Sequence, residues 1–248
     1  MSTGTIIFII TMGWALIIHG GLTYLIVKKK EYSLISGFLN RPKEEQEYLI
    51  QNGYMEALGK IFKVSFYLFA ATFLLGLLPI PYGFEIGIAL FLIVLLGGLI
   101  WMQKYEVPKK RKKMYWITSI IMAVTVALVG GLTIAGLVDN EVTVNHEAFK
   151  ISGMYGVEWP IEEIKSVELL DTLPEVITKT NGYASSGQLK GHFLLEEPYG
   201  SGLLFVNLKN PPYLYVATNK DFLILNKKNS EETKTIYESL LKVWESNK

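Results

Sequence analysis

No cysteine occurs among the 248 residues. That excludes a disulfide framework, thiol catalysis and a cysteine-based zinc site. Arginine is scarce too: Arg41 and Arg111 are the two in the chain, and residues 139–248 hold none. An acidic stretch without arginine is a poor match for nucleic acid or anionic headgroups, which need basic partners. No HExxH pair, G-x-S-x-G elbow or phosphate-binding glycine loop is present. His146 and His192 stand far apart, and Ser185-Ser186 has no base beside it. Glu162-Glu163 and Glu196-Glu197 are adjacent pairs, and on extended chain neighbours point to opposite faces, so both read as solvated. These residues point to no catalytic set, no metal site and no cofactor.

What the chain has in abundance is apolar sequence, and it is unevenly placed. Four runs, near Thr5–Val27, Val64–Leu78, Phe84–Met102 and Tyr115–Val138, fill the first 138 residues. A helix needs about 20 apolar residues to cross a bilayer core, and the first, third and fourth runs have that length. The second reaches it if Ile61 and Phe62 join, with Lys63 extending its ammonium to the interface. Pro79-Ile80-Pro81-Tyr82-Gly83 is rich in helix breakers and predicts a tight turn between the second and third runs. The alternative is one hairpin that enters and leaves on the same side. The first run has no basic segment before it and is too long for a cleaved signal, so it reads as a retained span.

Lysine falls on alternate connections: Lys28–Lys30 after the first run, Lys109–Lys113 with Arg111 after the third. Basic connections are retained in the cytoplasm. This predicts a multi-pass protein of the cell membrane with both those connections inside, and the N-terminus and residues 139–248 outside. Residues 1–138 carry 13 Lys and Arg against 7 Asp and Glu, a net of +6; residues 139–248 carry 11 against 16, a net of −5.

Ala123, Ala127, Gly131 and Ala135 place a small residue every four along the fourth run, a stripe that lets another helix approach closely. The partner would be a neighbouring span of this chain or a second copy in a homo-oligomer. His19 is the ionisable side chain well inside a span; a structural hydrogen bond and a functional role are both open to it. Between the first two runs, Asn40-Arg41-Pro42 before Lys43-Glu44-Glu45 reads as a helix start. An amphipathic inner helix is expected over 40–60, as a surface-lying connector or a docking surface.

After Asp139 the pattern changes to alternation. Val142, Val144, Phe149 and Ile151, then Tyr155, Val157 and Trp159, predict a first hairpin. Further strands are expected at Ser166–Leu170, Gly191–Glu196, Leu203–Leu208, Tyr213–Thr218 and Phe222–Leu225. Residues 171–189 read as a long loop with a short strand at Val176–Thr180. Asn229 is placed to cap a final helix, with Glu232 completing a capping box. Ile236, Leu240 and Trp244 give that helix one apolar stripe. The fold class expected is a four-span helical bundle over 1–138, then over 139–248 a barrel of about seven strands closed by one helix.

That layout is the outline of a pleckstrin-homology-like barrel. Phe149-Lys150-Ile151-Ser152-Gly153-Met154-Tyr155-Gly156, Trp159-Pro160 with Ile164, Leu173-Pro174, Thr180-Asn181-Gly182, Lys190-Gly191-His192-Phe193 and Thr233-Lys234-Thr235-Ile236-Tyr237 resemble the bacterial PH-domain family of membrane proteins. The resemblance runs from Val142 to Trp244. Leu34-Ile35-Ser36-Gly37-Phe38 and Pro42-Lys43-Glu44-Glu45 resemble a family of small Gram-positive multi-span proteins of unknown function. Lipid-binding PH domains carry basic residues in the first hairpin turn. Ser152–Gly156 carries none, which speaks against phosphoinositide as a ligand. The resemblance implies a fold and a location; the function expected is a membrane-anchored binding or scaffold module that shows a sheet edge or the groove near the C-terminal helix to a protein or peptide. Tyr183, in the long loop 178–190, and Tyr199, in the Pro198–Gly202 turn, are the candidate contact residues. Immunity against cationic antimicrobial peptides, or service as an accessory subunit of a transporter or sensor, are the alternatives.

Overall fold

The computed structural model describes residues 3–247. Among them, four helices are long and apolar enough to cross a membrane. They are α1 (Thr3–Val27), α3 (Tyr54–Leu77), α4 (Gly83–Trp101, running on as a 3-10 turn to Tyr105) and α5 (Pro108–Leu137). A short helix α2 (Lys43–Gln51) lies between α1 and α3. Their number, length and apolar composition suggest a multi-pass membrane protein. The chain divides into two compact units, Ile7–Val129 and one built mainly from residues 130–247.

In the first unit the helices meet through small residues. A side chain at Gly20 would run into Phe66, and one at Gly76 into Phe8. Gly87 admits Thr72, and Gly98 admits Ile61. With no water to expel between lipid-facing helices, such close backbone approach supplies the packing.

Three boundaries differ from expectation. The inner helix expected over 40–60 is two elements, because Gly53 takes a left-handed φ of +83° and breaks the chain between α2 and α3. Asn40 does not cap α2; Pro42 holds that position, and Arg41 turns aside to an ion pair. The second span starts ten residues early, at Tyr54. Its first two turns are buried (Tyr54, Met55, Ala57, Leu58) with Phe38, Leu49 and Met102 of the flanking segments, rather than uniformly apolar. The cluster Lys109–Lys113 lies within the first turns of α5, not in a loop.

The second unit holds nine strands among the described residues. β1 (Val142–Val144), β2 (Ala148–Ile151) and β3 (Val157–Pro160) form an antiparallel sheet. The other six are β4 (Ile164–Leu170), β5 (Val176–Ala184), β6 (Gln188–Leu195), β7 (Gly200–Asn207), β8 (Tyr213–Thr218) and β9 (Phe222–Leu225). They form one sheet in the order β4-β8-β9-β7-β6-β5. β9 inserts between β7 and β8 and runs parallel to β7. The expected long loop is therefore a hairpin: β5 pairs with β6 from Val176↔Leu195 to Ala184↔Leu189. Asn181-Gly182 is not a turn but lies within β5, where Gly182 is needed because a side chain would strike the Lys190 carbonyl.

One face of the six-stranded sheet packs with the small sheet and the final helix α6 (Ser230–Ser246) around Phe149, Ile151, Val167, Leu214 and Leu240. The other face has its own cluster around Phe193, Leu195, Leu204 and Ile224. Strand β9 is buried on both faces and reads as the unbroken apolar run Phe222-Leu223-Ile224-Leu225. Asn229 Oδ1 caps α6 by accepting the Glu231 N–H at 3.0 Å. No hydrogen bond to Glu232 completes a capping box. The Trp244 indole donates to the Ile164 carbonyl at 2.9 Å and pins the helix to β4.

Candidate functional site

Tyr183 was expected at an open loop tip. The structure places it in β5, opposite Lys190 of β6, with its ring over Gly136 in the last turn of α5, where even a methyl group would overlap it. Lys190, 2% exposed, donates from Nζ to the carbonyls of Val138 and Ala135, the latter at 3.5 Å. The Lys227 Nζ donates to the Asn140 carbonyl at 2.5 Å. The last carbonyls of a helix have no internal partner and carry its negative dipole end, so the buried Lys190 ammonium there satisfies both needs. Burial pushes the Lys190 ammonium below its ordinary pKa; the Asp139 carboxylate opposes that shift and Lys227 adds to it. Behind it Asn226 bridges the main chain, accepting the Asn207 N–H at 2.6 Å and donating to the Asn207 and Asn210 carbonyls.

Tyr199 is half-buried, with ring centroids 5.8 Å from Tyr215 and 6.0 Å from Phe222. It borders an open cleft whose rim carries Asp171, Glu175, Glu196 and Glu197. Burial, then the Glu168 carboxylate and Tyr199, raise the Tyr215 hydroxyl above the usual phenol range. The stripe of Ala123, Ala127, Gly131 and Ala135 is largely exposed. A side chain at Gly131 would meet nothing within 4 Å, while Ala135 is half-buried.

In the first unit, Glu106 is fully buried and accepts both Arg41 guanidinium nitrogens, at 2.7 and 2.9 Å. The same carboxylate accepts the Val107 N–H, while Arg111 donates to the Glu106 carbonyl. That hydrogen bond to Glu106 raises the Arg41 pKa still further above neutrality, against the cost of burial. Lys110 reaches Glu45 at 2.7 Å, and the Asn52 side chain donates to the Tyr105 carbonyl. These bonds join the connection 28–53 to the connection 102–111, so both basic connections share one end of the unit. Nothing in the sequence marks this clasp: its two halves are separated by about sixty residues, and a lone Glu106 between Tyr105 and Val107 carries no pattern.

His19 Nε2 lies 3.1 Å from Ser65 Oγ, within rings of Phe62, Phe66, Phe69 and Phe91. Ser65 Oγ also lies 3.1 Å from the Phe62 carbonyl, and which ring nitrogen of His19 carries the proton sets the direction of the pair. His192 and His146 are exposed and apart. Among the described residues no three His, Asp or Glu side chains converge as metal ligands would.

Neither curated proteins nor solved structures gave a match to this chain. Residues 5–111 match the family model for a domain of unknown function (DUF3784), a stretch that takes in α1 to α4 and the Arg41–Glu106 clasp, suggests a membrane N-terminal region, and lends no support to the PH-family resemblance of residues 142–244.

Proposed function

We propose that this chain is a non-enzymatic, membrane-anchored binding or scaffold protein whose C-terminal unit faces the outside of the cell and takes up an extended protein or peptide partner. The observation that carries this reading is β5. It is nine residues long and stands at the edge of the six-stranded sheet. An open edge offers a row of backbone donors and acceptors to which a further strand can add. Lys179, Thr180 and Asn181 are exposed along it. Two register shifts in the β5–β6 pairing twist this edge, which guards it against indiscriminate pairing.

The outward orientation is supported by the clustering of both lysine-rich connections at one end of the helical unit. A PH-like barrel is the reading of the sheet. Its support is α6 laid over one face and the curl that brings Leu170 of β4 and Val176 of β5 into the same cluster. The parallel β7–β9 pair is a departure from an all-antiparallel meander. The carboxylates of the Tyr199 cleft favour a second reading within the same surface: a cationic peptide, as immunity against antimicrobial peptides would require.

A photo-reactive residue at Lys179 or Asn181, irradiated in native membranes, should yield one adduct of discrete mass. The same residue at Lys242, exposed on α6, should yield none. Equal adducts from all three positions, or none from any, would overturn the reading.

A further inference from the structure

We propose that the helical unit holds an anionic phospholipid in a cleft between the end of α1 and the start of α3. Lys30, Lys60 and Lys63 converge on this cleft, with Tyr32 beside them and Ile26 and Met55 as its buried apolar floor. Gly59 makes the cleft possible: its bare backbone lets Val27 close to 3.3 Å of where a side chain would begin, so α1 and α3 meet behind the lysines. Lys30 is held by a left-handed backbone, φ +56°.

The three lysines outnumber the one carboxylate, Glu56, among the residues that line the cleft. At the same end Arg41 and Lys110 are paired with Glu106 and Glu45. By contrast, no described carboxylate comes within 4.0 Å of Lys30, Lys60 or Lys63. Glu56 also lines the cleft and reaches none of them. Three cations in one recess call for an anion, and the recess lies where apolar helices give way to lysine, the depth of lipid headgroups. Below it the same face of α3 continues as Val64 and Tyr67, 49% and 70% exposed. That face runs from ammonium to apolar surface without a break. A phosphodiester bearing acyl chains satisfies both ends, whereas a free phosphate satisfies the first alone. The cleft belongs to a different unit from β5 and does not depend on the peptide-binding reading.

The full-length protein, delipidated in detergent and titrated with phosphatidylglycerol in a phosphatidylcholine background, should retain the anionic lipid by native mass spectrometry. Replacing Lys30, Lys60 and Lys63 by Gln should weaken that binding by about tenfold or more, since each lysine near a headgroup contributes appreciably. The triple Lys→Arg variant should keep it. Replacing Lys43, Lys109 and Lys113 by Gln makes the same charge change with exposed lysines outside the cleft and should leave it unaltered. An equal loss in both Gln variants, no loss in either, or equal competition by inorganic phosphate would each overturn the proposal.

Discussion

Replacing Glu106 by Gln should loosen the end of the helical unit that carries both lysine-rich connections more than any surface change can. The carboxylate is fully buried and is the bidentate partner of Arg41. Removing one member of a buried pair strands the other, at a cost of about 3–5 kcal/mol. Arg41 retains only Glu45, at 3.7 Å. The expected result is faster proteolysis and hydrogen exchange over residues 28–53. Pairing the change with Arg41→Met should restore at least half of the loss, because two neutral side chains leave no uncompensated charge. Unchanged exchange in the single variant would show that the clasp adds nothing.

The second large effect belongs to Gly136. Its Cα hydrogen faces the Tyr183 ring, and any side chain there must displace it. Gly136→Leu should destabilise the β5–β6 hairpin by about 1–3 kcal/mol, the usual cost of overpacking. Adding Tyr183→Ala should return part of that loss, so the two changes will not be additive. Gly131→Leu, in open space on the same helix, should leave the hairpin unchanged. A loss at Gly131 instead would mean that another helix covers the small-residue stripe. Hydrogen exchange of the β6 amides reads all three variants.

These two sites show where sequence reasoning reached and where it stopped. The helices were legible because membrane spans are written locally, in length and hydropathy, and β8 and β9 because buried strands read as apolar runs. Strand β5 was not. An edge strand has one hydrogen-bonded side and little burial, so Thr178, Lys179, Thr180, Asn181 and Gly182 carry the composition of a loop. The start of α3 was missed for a related reason: Tyr54 to Leu58 are buried by the flanking segments, which no window of hydropathy contains. Buried polar groups were the least visible. Lys190 and Glu106 look like solvated charges until the main chain of α5 or the guanidinium of Arg41 is brought against them, and those contacts span about fifty and sixty residues. Tyr183, expected at a loop tip, lies within β5, hidden by the same loop-like composition.

The account depends on which side of the membrane the lysines occupy. Because the chain has no cysteine, single-cysteine variants can be labelled without background. Lys220→Cys, at the exposed β8–β9 turn, and Glu47→Cys, exposed on α2, should be compared on intact cells with a membrane-impermeant maleimide. Lys220→Cys should label at once and Glu47→Cys only after the membrane is permeabilised. The reverse order, or labelling of both before permeabilisation, would contradict the topology on which the proposed function stands.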